Sequence, residues 1–410
     1  MSTRPTPAPL FLPLLLPFGL VVGYGQVCTP YTLDKLGVAA ALATTIQQTG
    51  ALPHTIKIFW APAIDARGAR KTWYVGSLIL AAITMAATVL INPDEARWLY
   101  TAMLFAANVG VATSSAALDA LMATTVPADK KGAAAGWSMA GNLGGTGLGG
   151  ALGLYLTEHQ SKPVTAVVLA AVILLCGLPV MRIEEPLREA KPALKAVVSL
   201  AKDLWATAKS REGWTGLIIC LSPVGAGAAA NLFAGGMHND YQATEHQVEI
   251  VTGVLGGIVS AVGCLVGGYL ADKMNRRAAY ALAGALMAAV AVAMAFGPQN
   301  PTAFNVGTLA YQFANGIGYA AFVAFVLEMI GHEGAVATKY TLFVAASNWA
   351  ISYTAILDGW GYDKWKVPGL FLVDAAATVG GIVILVGMMA VVGKKKVAAL
   401  PPDPEPTASA

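Results

Sequence analysis

Charge is what this chain has least of. Asp, Glu, Lys and Arg supply 12% of its 410 residues, against about 25% in an ordinary soluble domain. That supply is too small to cover a water-facing surface of this size. Cysteine is scarce as well. Cys28, Cys176, Cys220 and Cys264 lie in or beside apolar runs, with no pair at metal-ligand spacing. They read as small buried hydrophobes, which argues against a disulfide framework or a thiolate metal site. The five histidines are dispersed, and there is no His-Glu-x-x-His, Gly-x-Ser-x-Gly or Asp-rich lipid-phosphate motif. No enzyme, metal or cofactor reading finds support. Only Arg4 precedes the first apolar run and no small-residue cleavage site ends it, so a retained first span is expected.

Apolar residue types are abundant. They make up 56% of the chain, the mean hydropathy is +0.61, and runs of about 20 residues, long enough to cross a bilayer, recur throughout. The pattern predicts an all-α membrane protein with twelve transmembrane helices, at 10–30, 38–62, 72–91, 97–125, 132–157, 163–182, 214–237, 248–271, 277–297, 302–330, 336–357 and 368–393. Residues 1–9 form an N-terminal tail, 10–182 and 214–393 two six-helix halves, 183–213 a charged linker, and 394–410 a basic then Pro-rich tail expected to be disordered. In the linker, Leu194, Val197, Val198, Ala201, Leu204, Trp205 and Ala208 follow a helical period, as in a helix lying on a membrane surface.

Lys and Arg are retained on the cytoplasmic side. With an even span count the two termini share one side, which carries 19 of these cations against five on the other. The expected orientation puts both termini in the cytoplasm.

Two short polar stretches punctuate the chain. Ala61-Pro62-Ala63-Ile64-Asp65-Ala66-Arg67-Gly68-Ala69-Arg70-Lys71 is echoed by Gly267-Gly268-Tyr269-Leu270-Ala271-Asp272-Lys273-Met274-Asn275-Arg276-Arg277, with Asp272 lying 207 residues after Asp65. Asn108 maps to Asn315 at 207, Asp119 to Glu328 at 209, and Asn142 to Asn348 at 206. One shared offset implies two halves repeated in the same membrane orientation, a plan that places a solute site between them at mid-membrane. The hairpins resemble the loop motif of the major facilitator superfamily of transporters.

Carboxylates inside spans need partners. The expected pairing is Arg67 or Arg70 with Asp119, and Arg276 or Arg277 with Glu328. Together with Asp65 and Asp272 these would form a charge latch at one end of the molecule, the alternative being static ion pairs. Lys57 lies about 12 Å inside the second span at the helical rise. It either faces a central pathway and meets an anionic group, or pairs locally. Gln26, Gln47, Gln48, His54, Asn108, Asn142, Asn231, Tyr311, Gln312, Asn315, Tyr340 and Asn348 are the polar residues expected to line that pathway. Asp119, Glu328 and Asp374 are the candidate proton-coupling carboxylates. His238, Asp240, Glu245, His246 and Glu249 read as a solvated loop. The glycines of the fifth span, from Gly136 to Gly153, fit close helix packing rather than a phosphate loop.

A finer resemblance rests on Leu52-Pro53-His54-Thr55-Ile56-Lys57-Ile58-Phe59-Trp60-Ala61-Pro62-Ala63-Ile64-Asp65, Ala337-Thr338-Lys339-Tyr340-Thr341-Leu342, Ala117-Leu118-Asp119-Ala120-Leu121 and Gly136 to Gly150. These are similar to elements of the muropeptide permeases, acetyl-CoA transporters and some siderophore permeases. His54 and Lys339 depart from that pattern, where the group has Tyr and Gln. The resemblance implies a proton-driven permease of the bacterial inner membrane and points to Lys57, Asp65, Asp119 and Tyr340. The expected protein is an alternating-access transporter, monomeric, working with membrane lipid, protons and a polar small solute, and not with nucleic acid. A non-transporting membrane sensor or assembly factor on the same fold is the rival reading.

Overall fold

Proline and glycine decide where the helices of this chain break. The computed structural model describes residues 5–66, 68–185, 209–230, 237–330 and 335–398, together with Lys202, Trp205 and Ala206. Arg67, Asn231 and nearly all of the surface helix expected in the linker lie outside the described residues. Helix α1 is Phe11–Lys35. The second expected span is in pieces: α2 Ala40–Ala51, α3 Pro53–Ile56, a 3₁₀ turn Lys57–Phe59 and α4 Ala61–Ala66. Pro53 and Pro62 have no amide hydrogen, so the ladder loses the bonds they would have made to the preceding turn. Next come α5 Arg70–Leu90, α6 Arg97–Thr125, α7 Lys131–His159 and α8 Lys162–Gly177, the last continuing as a 3₁₀ turn to Arg182.

The second half follows the same order. The seventh expected span is also interrupted: α9 Arg211–Leu221 ends before Pro223, and Gly225 and Gly227 take φ of +64° and +66°, a region that favours glycine. The short helices α10 Met237–Asp240 and α11 Glu245–Val248 lead through a π-helix, Glu249–Leu255, into α12 Gly256–Lys273. Then follow α13 Arg276–Phe296, α14 Pro301–Met329 and α15 Val336–Ala398. Helix α15 is two arms joined at Lys366, whose φ of 57° and ψ of −145° are not helical, with Pro368 just beyond. Its second arm runs through the basic residues Lys394 to Lys396, where a disordered tail was expected. No strand occurs among the described residues.

Eight stretches are long and apolar enough to cross a membrane, and one of them, Val336–Met389, contains the Lys366 bend and so holds two arms. Bulky aliphatics such as Ile83, Val167, Leu175, Val306 and Val383 are exposed along the outward faces of these helices. An apolar belt of that kind is tolerable only against lipid. The protein is a multi-pass helical membrane protein.

Helix α7 is the centre of the packing. Gly141, Gly145 and Gly149, one turn apart, lie against the backbone of α1 at Leu12, Leu16 and Leu20. Its other face meets α12 across the boundary between the halves, where Gly136 faces Gly268 and Gly147 faces Gly257. A Cβ on Gly268 would sit 2.5 Å from the Gly132 carbonyl oxygen and 2.8 Å from Gly136 Cα. The Gly268→Val variant should therefore lose about 1–3 kcal/mol, read as a lower melting temperature in detergent. Gly76→Ala, with nothing within 4 Å of its Cβ position, should melt no lower than the parent; equal behaviour of the two variants would contradict this seam.

Candidate functional site

The two hairpins converge on one end of the bundle, and each reaches into the other half. Asp65, closing α4, accepts hydrogen bonds from the Ala337 amide (3.1 Å), the Thr338 amide (2.8 Å) and the Thr338 hydroxyl (2.8 Å). These donors belong to the first turn of α15, where amides have no partner within the helix. Asp272, near the end of α12, does the same for α7, accepting from the Gly132 amide at 2.6 Å and the Ala133 amide at 2.7 Å. A carboxylate also suits the positive end of the helix dipole. Asp65 pairs with Arg70 at 3.7 Å, and Asp272 with Arg276 at 3.9 Å.

More bonds cross the boundary at this end. Lys131, buried, donates to the Leu327 carbonyl in the last turn of α14 at 2.8 Å. Arg276 donates to the Ala128 carbonyl and pairs with Glu328 at 3.0 Å. On the first-half side alone, Glu185 accepts from the Arg70 and Lys71 amides, capping α5. The roles of Lys131 and Glu185 were not expected. Their only sequence signal is a charge beside a helix end. At the opposite end, among the described residues, the polar pairs stay within one half: Tyr31 with Glu158, Arg97 with Asp94, and Tyr362 with Asp240. The molecule is closed at its hairpin end.

Asp119 departs from the expected latch. Arg70 bonds Asp65 and donates to Thr124 at 3.1 Å. Thr124 is five residues beyond Asp119, or about 7.5 Å along the helix. Asp119 is instead buried at 2% exposure, accepting from Ser115 at 3.3 Å. It faces Lys57, itself only 6% exposed, closely enough for the charges to attract. Tyr340, on α15, lies near the same carboxylate from the other half; Asp119 Oδ1 makes no hydrogen bond among the described residues. The 3₁₀ turn at Lys57 is what directs this lysine inward. Beside it, a ring nitrogen of His54 lies 2.7 Å from Asn108 Oδ1, and Trp60 donates to Thr113 at 3.0 Å.

Glu328 is not the counterpart of Asp119. An offset of 207 from Asp119 falls on Val326, which is fully buried. Two extra residues turn the side chain by about 200° around the helix, so Glu328 points outward, half exposed, to Arg276. It is a half-exposed ion-pair residue, unlike the buried Asp119. Arg277 lies over the Phe325 ring instead of pairing with Glu328.

The other expected pathway residues are spread out. Gln26 and Gln48 are exposed, while Gln47, Asn142, Gln312 and Asn348 are half-buried. Asn108, Asn315 and Tyr340 are buried. Tyr311 is fully buried and donates to Asp374 at 2.9 Å, away from the Lys57 cluster.

The two acidic caps test whether the hairpin end works as a latch. Hydrogen bonds to a charged group contribute about 1.5–3 kcal/mol, roughly 10- to 150-fold in an opening equilibrium. Asp272→Ala should speed hydrogen exchange at Gly132 and Ala133 by that factor. If the halves part as bodies, Ala337 and Thr338 should speed up as well, and Asp65→Ala should have the reciprocal effect. Acceleration confined to the altered cap would make these static bonds.

Comparison with known proteins follows this geometry. A family model described as Major Facilitator Superfamily matches twice, over residues 30–233 and 215–409. Anhydromuropeptide permeases of Escherichia coli (strain K12) and of Escherichia coli O157:H7 are each 24% identical over 345 residues, covering 81% of this chain and 70% of theirs. Among solved structures, the transporter FucP in the outward conformation is similar with a TM-score of 0.73 at 13% identity, covering 93% of this chain and 98% of that one. The human organic anion transporter MFSD10 is similar with a TM-score of 0.64 at 15% identity, covering 92% and 98%.

Proposed function

Because the chain belongs to the Major Facilitator Superfamily, and is a transporter rather than an enzyme, we propose that it is a proton-coupled importer of a polar solute bearing an anionic group. A muropeptide-like solute is favoured over a siderophore-like one, since the similar curated proteins are anhydromuropeptide permeases. The proposed setting is the bacterial inner membrane, with the hairpin end and both termini cytoplasmic. That orientation is supported by the Lys and Arg bias of the loops.

One observation carries this reading. Lys57 and Asp119 are opposite charges buried together in the first half, and Tyr340 of the second half lies near the same carboxylate. A buried charge without a partner is strongly unfavourable. While Asp119 is ionised it balances Lys57. A proton on Asp119 leaves Lys57 uncompensated, and the anionic group of a solute then becomes its best partner. Charge balance thereby makes proton and solute bind together. It also changes the charge that Tyr340 faces, so occupancy is felt by the second half as well. Release of the Asp65 and Asp272 caps would open the hairpin end, and their re-formation would restore the present state. The half-buried Asn142 and Asn348, at matching places in the two halves, would add hydrogen bonds to a polar solute.

Proteoliposomes offered labelled anhydromuropeptide with an inward proton gradient test this directly. Wild-type protein should accumulate the solute, and an uncoupler should abolish accumulation. Lys57→Ala should lower uptake at least tenfold, roughly the loss of one charge-assisted contact. Asp119→Asn should keep downhill exchange but no longer respond to the gradient. Gradient-independent uptake by the wild-type protein, or full activity in Lys57→Ala, would refute the mechanism.

A further inference from the structure

Two more carboxylates are buried on the far side of the second half, where the mechanism above makes no use of them. Asp358, on the first arm of α15, and Asp374, on the second, are each 0% exposed. Each lies eight residues from the bend at Lys366, so antiparallel arms rising about 1.5 Å per residue bring them to the same depth. The arms are pressed together there by Gly361 and Gly369, each with its Cβ position against the other's backbone carbonyl. Any side chain at either glycine would force the arms apart, so the contact keeps the two aspartates at one depth, near enough for their charges to act on each other.

Their hydrogen bonding is incomplete. Tyr311 donates to Asp374 Oδ2 at 2.9 Å. Asp374 Oδ1 and both carboxylate oxygens of Asp358 have no partner. The hydroxyls of Thr308, one turn from Tyr311, and Thr378, one turn from Asp374, are also buried without partners. Around them lie Met287, Ala291 and Met294 of α13, Phe304 of α14, and Leu370 and Phe371 of the second arm. The titratable group facing the pair is Tyr311; Tyr362, one turn nearer the bend, is bonded to Asp240. Among the described residues no Lys, Arg or His pairs with either aspartate.

Two negative charges side by side in an apolar layer repel each other and have nothing to balance them. An ionised carboxylate is also only an acceptor, whereas a protonated one donates. From this geometry we infer that Asp358 and Asp374 form a proton-binding site in the second half, separate from Lys57 and Asp119, with at least one proton held on the pair and Tyr311 donating to it. The pair sits at a helical hairpin whose arms pack on α13 and α14, and movement of those arms against Tyr311 is what would admit or release the proton. Its part in transport rests on the coupled reading above; its occupancy does not.

Infrared spectroscopy of the full chain in lipid nanodiscs, at neutral pH in sodium-free potassium buffer, reads the site without any solute. Wild-type protein should show a protonated-carboxyl C=O band that shifts on deuteration. The double variant Asp358→Asn/Asp374→Asn, whose amides imitate a neutral pair, should lose a component of that band. Asp119→Asn should retain that component. Each single variant should shift it, so the inference stays testable if the double variant does not fold. Absence of the band in wild-type protein, or its persistence in the double variant, would overturn the inference. So would its loss on adding sodium together with a rise in melting temperature, which would assign the site to an alkali cation. Failed solute uptake by the wild-type protein would sink the transport proposal and leave the infrared result standing.

Discussion

A carboxylate set against the first turn of a helix from the opposite half joins the two halves of this protein at the hairpin end. A helix start carries amides with no partner and a partial positive charge, and an acidic side chain satisfies both. The chain uses this interaction twice across the boundary, Asp65 on α15 and Asp272 on α7. Because each half both gives and receives a cap, the two bonds are related as the halves are. Rotation of one half against the other would break both.

Such bonds act as a catch only where the surfaces they join pack without interlocking. The glycine seam between α7 and α12 provides that. Backbone lies on backbone at Gly136 and Gly268, so little side-chain interlock has to be undone at that point when the halves move. Dispersion between close backbones is enough to hold the seam in a membrane, where burial of apolar groups supplies no drive between helices.

The two halves agree in their hairpins and differ inside. The first half buries an opposed pair, Lys57 with Asp119. The second buries two carboxyl groups, Asp358 and Asp374, beside Tyr311. Glu328, at the place nearest to Asp119 in the repeat, has been turned to the surface. The two halves thus share a fold while differing in the charge they bury.

Hydrophobic runs, cation bias and a repeat near 207 residues were enough to establish a helical membrane protein of two like halves, because length and apolarity alone decide whether a segment crosses a bilayer. The hairpin aspartates were legible too, as polar residues repeated between spans. What they bind was not. Their partners are backbone amides 272 and 140 residues away in the chain, and an amide leaves no mark in a sequence. The partner of Asp119 depended on a 3₁₀ turn that rotates Lys57 inward, and the loss of equivalence at Glu328 on two residues of helical phase. Asp358 passed as the edge of a loop until the arms of α15 set it beside Asp374. Sequence composition determined which segments enter the membrane; helix rotation and backbone proximity, which exist only in three dimensions, decided which charges meet there.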